Sequence, residues 1–207
     1  MLNNQVADYG WSEDKQVPSM TYLETAVVNA CRALGVRSVL DLGCGKGDIA
    51  RALVRSNFDV VGCDADAEGV RIATEACPQA TFRQLGVYDD PGALRRNDFD
   101  AVVSTEVIEH LYAPRALPRF ASNVMKEDGW LILTTPYHGY LKNLALSATD
   151  HWDRHLSPAW DGGHIKFFSR RTLTRLLEEE GFQVKTFQGL GRVPYLWKSM
   201  LLVARKK

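Results

Sequence analysis

The sequence predicts an α/β fold, a mostly parallel sheet with helices on both faces. Three observations point there. Short apolar runs of strand length alternate with segments whose apolar residues recur at helical spacing, the pattern of successive βαβ units. The run Val39-Leu40-Asp41-Leu42 passes through Gly43-Cys44-Gly45-Lys46-Gly47 directly into a helical segment at 49–54. The next strand, 59–64, ends on an acid, Asp64. Glycines let such a turn be tight and let a ligand approach the backbone. An acid at the tip of the second strand is placed to hold ribose hydroxyls, or else to cap the helix that follows.

Bulk properties narrow the classes. A chain of 207 residues, 45% hydrophobic and 24% charged, can bury a real core in one domain spanning 1–207. Lys+Arg and Asp+Glu both number 25. That balance argues against a partner held by a strong positive field, so no nucleic acid is expected. Cys31, Cys44, Cys63 and Cys77 form no C-x-x-C pair. With no signal-peptide pattern and no membrane-spanning apolar run, a reduced, cytoplasmic chain is expected.

Taken in order, residues 1–20 are a polar lead-in, whose Tyr9 and Trp11 are candidates to cover a ligand mouth. Residues 20–34 have apolar residues at helical spacing and stop at Gly35, which predicts an N-terminal amphipathic helix. A helix over 68–77 stops at Pro78, and a third strand covers 81–85. The fourth strand is 99–104, followed by a helical turn at 105–110 and a helix over 115–125 with Pro118 near its start. The fifth strand is 129–135. Residues 169–180 read as a capped helix ended by Gly181, and 182–187 and 197–204 as two last strands.

Asp41-x-Gly43-x-Gly45-x-Gly47 with Asp64 resembles the loop of class I S-adenosylmethionine (SAM) methyltransferases. It differs from the dinucleotide pattern G-x-G-x-x-G, because the third glycine comes one position early and Asp48 follows it. The resemblance covers roughly residues 35–190. It implies a Rossmann-like sheet of seven strands, mostly parallel with an antiparallel last strand. It implies SAM as cofactor, with Asp41 organising the loop and the cationic methionine end. Gly43, Cys44, Gly45, Gly47, Asp64, Ala65, Thr105 and Glu106 would complete the donor site. Family members commonly place an acid near the third turn for the adenine amino group. Here Gly86-Val87-Tyr88 occupies the turn and the acids come at Asp89 and Asp90, which leaves Val87 as the adenine contact.

Glu106-Val-Ile-Glu109-His110 carries the chemistry. On a helical turn positions 106, 109 and 110 share one face. Carboxylates beside an imidazole suit a divalent cation, or a base oriented by an acid. The stretch resembles ubiquinone-biosynthesis O-methyltransferases, which act on catechol-like rings. It also resembles the small-RNA 3′-terminal 2′-O-methyltransferases, which hold a metal with E-x-x-E-H and a distant histidine. The matching set here is Glu106, Glu109, His110 and His164, for Mg²⁺ or Mn²⁺, with His110 and His164 as catalytic candidates.

Residues 137–168 hold four of the five histidines and two of the five tryptophans, with a short helix at 141–148. They lie beyond the fifth strand, at the sheet edge where α/β proteins bind ligands, and read as a lid or cap. An apolar face on 141–148 also suits peripheral membrane contact. The expected function is SAM-dependent methylation of a small-molecule hydroxyl. The alternatives are methylation of RNA ends, and a SAM-binding protein without turnover.

Overall fold

The computed structural model describes residues 20–156, 158–160 and 162–207. Tyr9 and Trp11 lie outside them. The order is α1 (Met20–Leu34), β1 (Ser38–Leu42), α2 (Asp48–Arg55), β2 (Asp59–Asp64), α3 (Ala67–Ala76), β3 (Thr81–Gln84), β4 (Phe99–Thr105), α4 (Ala116–Val124), β5 (Met125–Pro136), α5 (Tyr140–Ala148), α6 (Trp152–Leu156), α7 (Arg170–Glu179), β6 (Phe182–Leu190) and β7 (Ser199–Lys206). Short 3-10 turns cover Pro91–Leu94 and Ile108–His110.

The strands form one seven-stranded sheet in the order β3-β2-β1-β4-β5-β7-β6. Pairing is parallel from β3 to β5, and β7 runs antiparallel between β5 and β6. Strand order reverses between β1 and β4, and their carboxyl ends make the crevice where such sheets bind ligands. Both faces are covered, which is why β1 is buried along its whole length. Leu40, Leu42, Val102, Leu131 and Leu202 pack on Phe120 of α4 and Leu173 of α7. Val39, Val103, Ile132 and Val203 pack on Leu23 of α1 and Leu53 of α2.

Several elements differ from the sequence expectation for local reasons. Pro118 falls in the first turn of α4, where an amide would lack a partner anyway. β5 begins at Met125, because Phe99 pairs with Met125 before the register shifts to Ala101 opposite Trp130. Asp128, at φ 64°, turns the chain through that shift. Asp66, rather than Asp64, caps α3 by accepting from the Glu68 and Gly69 amides. The turn after β4 is not one helical face. Glu106 stands at φ 54°, and the 3-10 turn starts only at Ile108.

Candidate active site

The loop after β1 is left-handed at Gly43, Gly45 and Gly47, with φ of 79°, 49° and 79°. Other residues rarely adopt this conformation. The Gly43 and Cys44 amides both donate to the Cys63 carbonyl, at 2.8 and 3.0 Å, and the Gly45 amide donates to Asp64 Oδ2 at 2.8 Å. A methyl group on Gly43 would lie 2.4 Å from Val107 Cγ2, and one on Gly47 2.9 Å from Ala73 Cβ. The loop is therefore clasped by β2, α3 and the turn after β4.

Asp41 is fully buried, and neither carboxylate oxygen has a hydrogen-bond partner. Burial pushes its carboxyl up to about 7; the Asp64 charge adds to this and the Ala50 amide opposes it. Such a group asks for a cation. Asp64, whose carboxyl is also raised by burial, accepts from the Gly45 and Asp66 amides. Each oxygen keeps a lone pair for a further donor.

In the turn after β3, Asp89 and Asp90 both serve the backbone. Asp89 Oδ2 accepts from the Gly86 amide at 2.7 Å, and Asp90 Oδ1 from the Gly92 amide at 2.9 Å. Ala65 packs against Gly86, where a methyl group would stand 2.9 Å from the Ala65 Cβ. Val87 is half-buried against the core. Thr105 ends β4 opposite Thr134 of β5.

The Glu106 carboxylate accepts from Thr134 Oγ1 at 3.0 Å and Ser199 Oγ at 3.3 Å, and burial pushes it up to about 7. It is not among the side chains that converge nearby. Those are Glu109, His110 and His164, each offering one ligand atom within 4.8 Å of the others. Glu109 is fully buried. Its Oε2 accepts from Thr135 Oγ1 at 3.0 Å, while Oε1 has no hydrogen-bond partner and lies 4.0 Å from Nε2 of both histidines. Burial, and then the Glu106 charge, pushes Glu109 well above the carboxylate range.

Main-chain bonds bring His164 in. The Glu109 carbonyl accepts from the Ile165 and Lys166 amides, both at 2.9 Å. The His164 and His110 rings meet edge-on, with centroids 4.9 Å apart. His110 Nδ1 lies 3.2 Å from the Gly163 carbonyl. A carbonyl only accepts, so Nδ1 carries the proton and Nε2 is left as an acceptor facing Glu109. Burial lowers both imidazoles, His164 to about 4 with the help of His110.

The segment 137–168 is closed at its base by the His138 amide donating to the Phe168 carbonyl at 3.0 Å. Within it α5 is inverted. Tyr140 is 79% exposed and Leu141 and Leu144 are exposed too, whereas Lys142 is the helix's buried residue. Lys142 Nζ donates to the Lys198 carbonyl at 3.1 Å. Sequence reasoning missed Lys142, because the apolar residues of Tyr-Leu-Lys-Asn-Leu suggest the opposite face as the inner one.

Comparison with known proteins agrees with this architecture. Residues 20–186 match a family profile described as a methyltransferase domain. A ubiquinone biosynthesis O-methyltransferase of Chromobacterium violaceum is 24% identical over 198 residues, covering 92% of this chain and 85% of that protein. One from Xanthomonas campestris is 31% identical over 137 residues, covering 63% of this chain and 57% of its own. Among solved structures, magnesium protoporphyrin IX methyltransferase from Synechocystis PCC 6803, with bound S-adenosylhomocysteine (SAH), is similar in fold, with a TM-score of 0.69. It is 18% identical, and the match covers 89% of this chain and 82% of that one. With a profile match running from α1 into β6, the chain belongs to the methyltransferase-domain family and is a class I SAM-dependent methyltransferase.

Proposed function

We propose that the protein transfers the methyl group of SAM to a hydroxyl oxygen of a small molecule. The observation that carries this reading is the convergence of Glu109, His110 and His164 on the turn whose Val107 packs against the donor loop. The names of the O-methyltransferase relatives support it. SAM supplies an already activated methyl group, so the protein's task is positioning and proton removal. Asp41 pairs with the ammonium of the donor and Asp64 with its ribose. The loop from Gly43 through Cys44 and Gly45 to Gly47 admits the donor to the backbone. Ala65 and Val87 flank the adenine, and Thr105 and Glu106 border the site from β4.

His110 Nε2, neutral and held as an acceptor, takes the hydroxyl proton; Glu109 and His164 set its position. The same three side chains would also hold a divalent cation, which there would lower the pKa of the acceptor hydroxyl. One carboxylate and two imidazoles suit Mn²⁺ better than the oxygen-seeking Mg²⁺. Glu106 is engaged by two hydroxyls, which weakens the likeness to the four-ligand RNA-end enzymes and favours a small acceptor. In a direct test, SAM and a panel of catechols should yield SAH in an acceptor-dependent reaction. SAH binding with no turnover on any hydroxyl compound would leave a SAM-binding protein instead.

The cap, residues 137–168, covers the acceptor side in this reading. No helix among the described residues is long and apolar enough to cross a membrane. The outward row Tyr140, Leu141 and Leu144 is nonetheless apolar, as is the exposed loop with Val193, Tyr195 and Leu196. Together they suit the surface of a bilayer that carries an apolar acceptor. The protein should co-sediment with liposomes, and Leu141→Glu with Leu144→Glu should release it. A protein that stays in the supernatant with and without acceptor would refute the contact. All four cysteines are buried and unpaired, which fits a reducing, cytoplasmic compartment.

A further inference from the structure

Lys142 is the buried residue of the inverted α5 and stands four positions after His138, and we infer that Lys142, His138 and His155 form a subsite for a carboxylate carried by the acceptor. The inference rests on the methyl-transfer reading and adds the acceptor's chemical class to it. Lys142 is 5% exposed, and its ammonium makes one hydrogen bond, to the Lys198 carbonyl. No carboxylate pairs with it among the described residues. An ammonium has three protons to give, so two remain for a ligand. A buried ammonium with no carboxylate in ion-pair contact is costly, and an incoming anion lowers that cost.

The imidazoles supply the rest of the wall. His138 is 6% exposed and has the Asn143 side chain beside its ring; His155 Nε2 is buried without a hydrogen-bond partner. The two rings lie 5.2 Å apart. Trp152 stacks parallel to His138 at 6.4 Å, and Phe167 meets it edge-on at 5.1 Å. Polar nitrogens framed by aromatic rings, away from water, are suited to a ligand with oxygens and a planar body.

Charge selects the ligand further. The facing acid is Glu106, already held by the Thr134 and Ser199 hydroxyls. Burial, with Lys142 adding to it, lowers His138 and His155 to about 4, so both are neutral at neutral pH. Lys142, lowered to about 8 by burial and then by Arg192, keeps its proton there. One buried positive charge matches a monoanion better than a phosphate dianion, while Arg192 lies at the exposed rim, where water screens it.

The subsite adjoins the reacting end. The Tyr137 amide and Lys142 Nζ share the Lys198 carbonyl, which places Lys142 where β5 passes into the cap. His164 of the catalytic cluster belongs to the same segment, 137–168, and its ring lies 4.9 Å from that of His110. A single small molecule could therefore present its carboxylate to Lys142 and its hydroxyl to His110.

The test is calorimetric titration of the SAH-loaded protein with 3,4-dihydroxybenzoate and with 3,4-dihydroxybenzamide, its uncharged counterpart. The acid should bind at least about tenfold more tightly. Lys142→Met should remove that preference while SAH affinity is kept, and His155→Phe should reduce it. Equal binding of acid and amide by the unaltered protein would overturn the subsite, and that comparison needs no variant. An acid preference that survives in SAH-binding Lys142→Met would overturn it too. Phenyl phosphate displacing the acid better than benzoate does would overturn the assignment to a carboxylate. Failure to bind SAH at all would instead sink the methyl-transfer reading.

Discussion

Asp41→Asn should make the ligand-free protein more stable at pH 8 and cost it most of its affinity for SAH. The two effects share one cause. Asp41 has a folded-state pKa of about 7, above the ordinary value, because it is buried beside Asp64 with no hydrogen-bond partner. The folded chain therefore holds the proton more tightly than the unfolded chain does. The resulting stabilisation is complete below the unfolded pKa and is lost as pH rises through 7. At pH 8 the buried charge costs on the order of 4 kcal/mol at most. Asparagine has nearly the same shape and no charge to bury. Its gain in melting temperature at pH 8, about 5–10 °C, should shrink to roughly a third at pH 5, where Asp41 is protonated in the folded chain but still ionised in the unfolded one, and vanish only below the unfolded pKa. The same substitution leaves the ammonium of SAH facing a neutral amide. Losing a buried charge pair typically costs about 2–5 kcal/mol, or roughly 30-fold and upward in Kd. Melting curves at the two pH values and calorimetry with SAH measure both arms. Unchanged affinity in the folded variant would remove Asp41 from the donor site.

What could be read from the chain depended on how local the cause was. The run from Val39 through the glycine loop to α2 is legible because strand, turn and helix each carry their own residue signals within a few positions. The extension of β5 to Met125 is not, since its cause is pairing with Phe99 on another strand. Periodicity placed Glu106, Glu109 and His110 on one helical face. The left-handed φ of Glu106 breaks that face, and its amide is drawn to the Thr134 carbonyl, a contact the local sequence does not encode. His164 was suggested by resemblance rather than by spacing. What brings it to His110 is the Glu109 carbonyl taking two amides of the cap, and a main-chain bond of that kind leaves no mark on side-chain identity. The apolar face read on 141–148 as suited to a membrane is indeed exposed at Leu141 and Leu144, but nothing in the pattern marked Lys142 as the residue turned inward. A helix is expected to bury its leucines, and α5 buries its lysine, an inversion consistent with a helix that has a ligand on one side and an apolar surface on the other.

His110→Ala should lower kcat by about 10²–10⁴ while SAH affinity stays within a few-fold. The imidazole presents Nε2 toward Glu109, fixed by Nδ1 donating to the Gly163 carbonyl, and alanine supplies neither. His164 lies in the same cluster, so the two should act as one unit. The double variant with His164→Ala should then lose little more than the worse single variant, as expected of groups sharing one task. Additive losses would mean two independent roles. A chelator separates the two chemistries open to the cluster. If Glu109, His110 and His164 hold a cation, chelation lowers the rate, added Mn²⁺ restores it, and Glu109→Gln weakens that dependence. If the imidazole acts as base alone, chelation changes nothing and the pH profile carries the signature. A neutral imidazole is the working form, and burial lowers both histidines. The rate should therefore hold as pH falls through 6.5, the ordinary histidine value, and decline only further into acid. Full turnover in a folded His110→Ala protein would rule the cluster out of the chemistry and leave His110 as packing for the cleft.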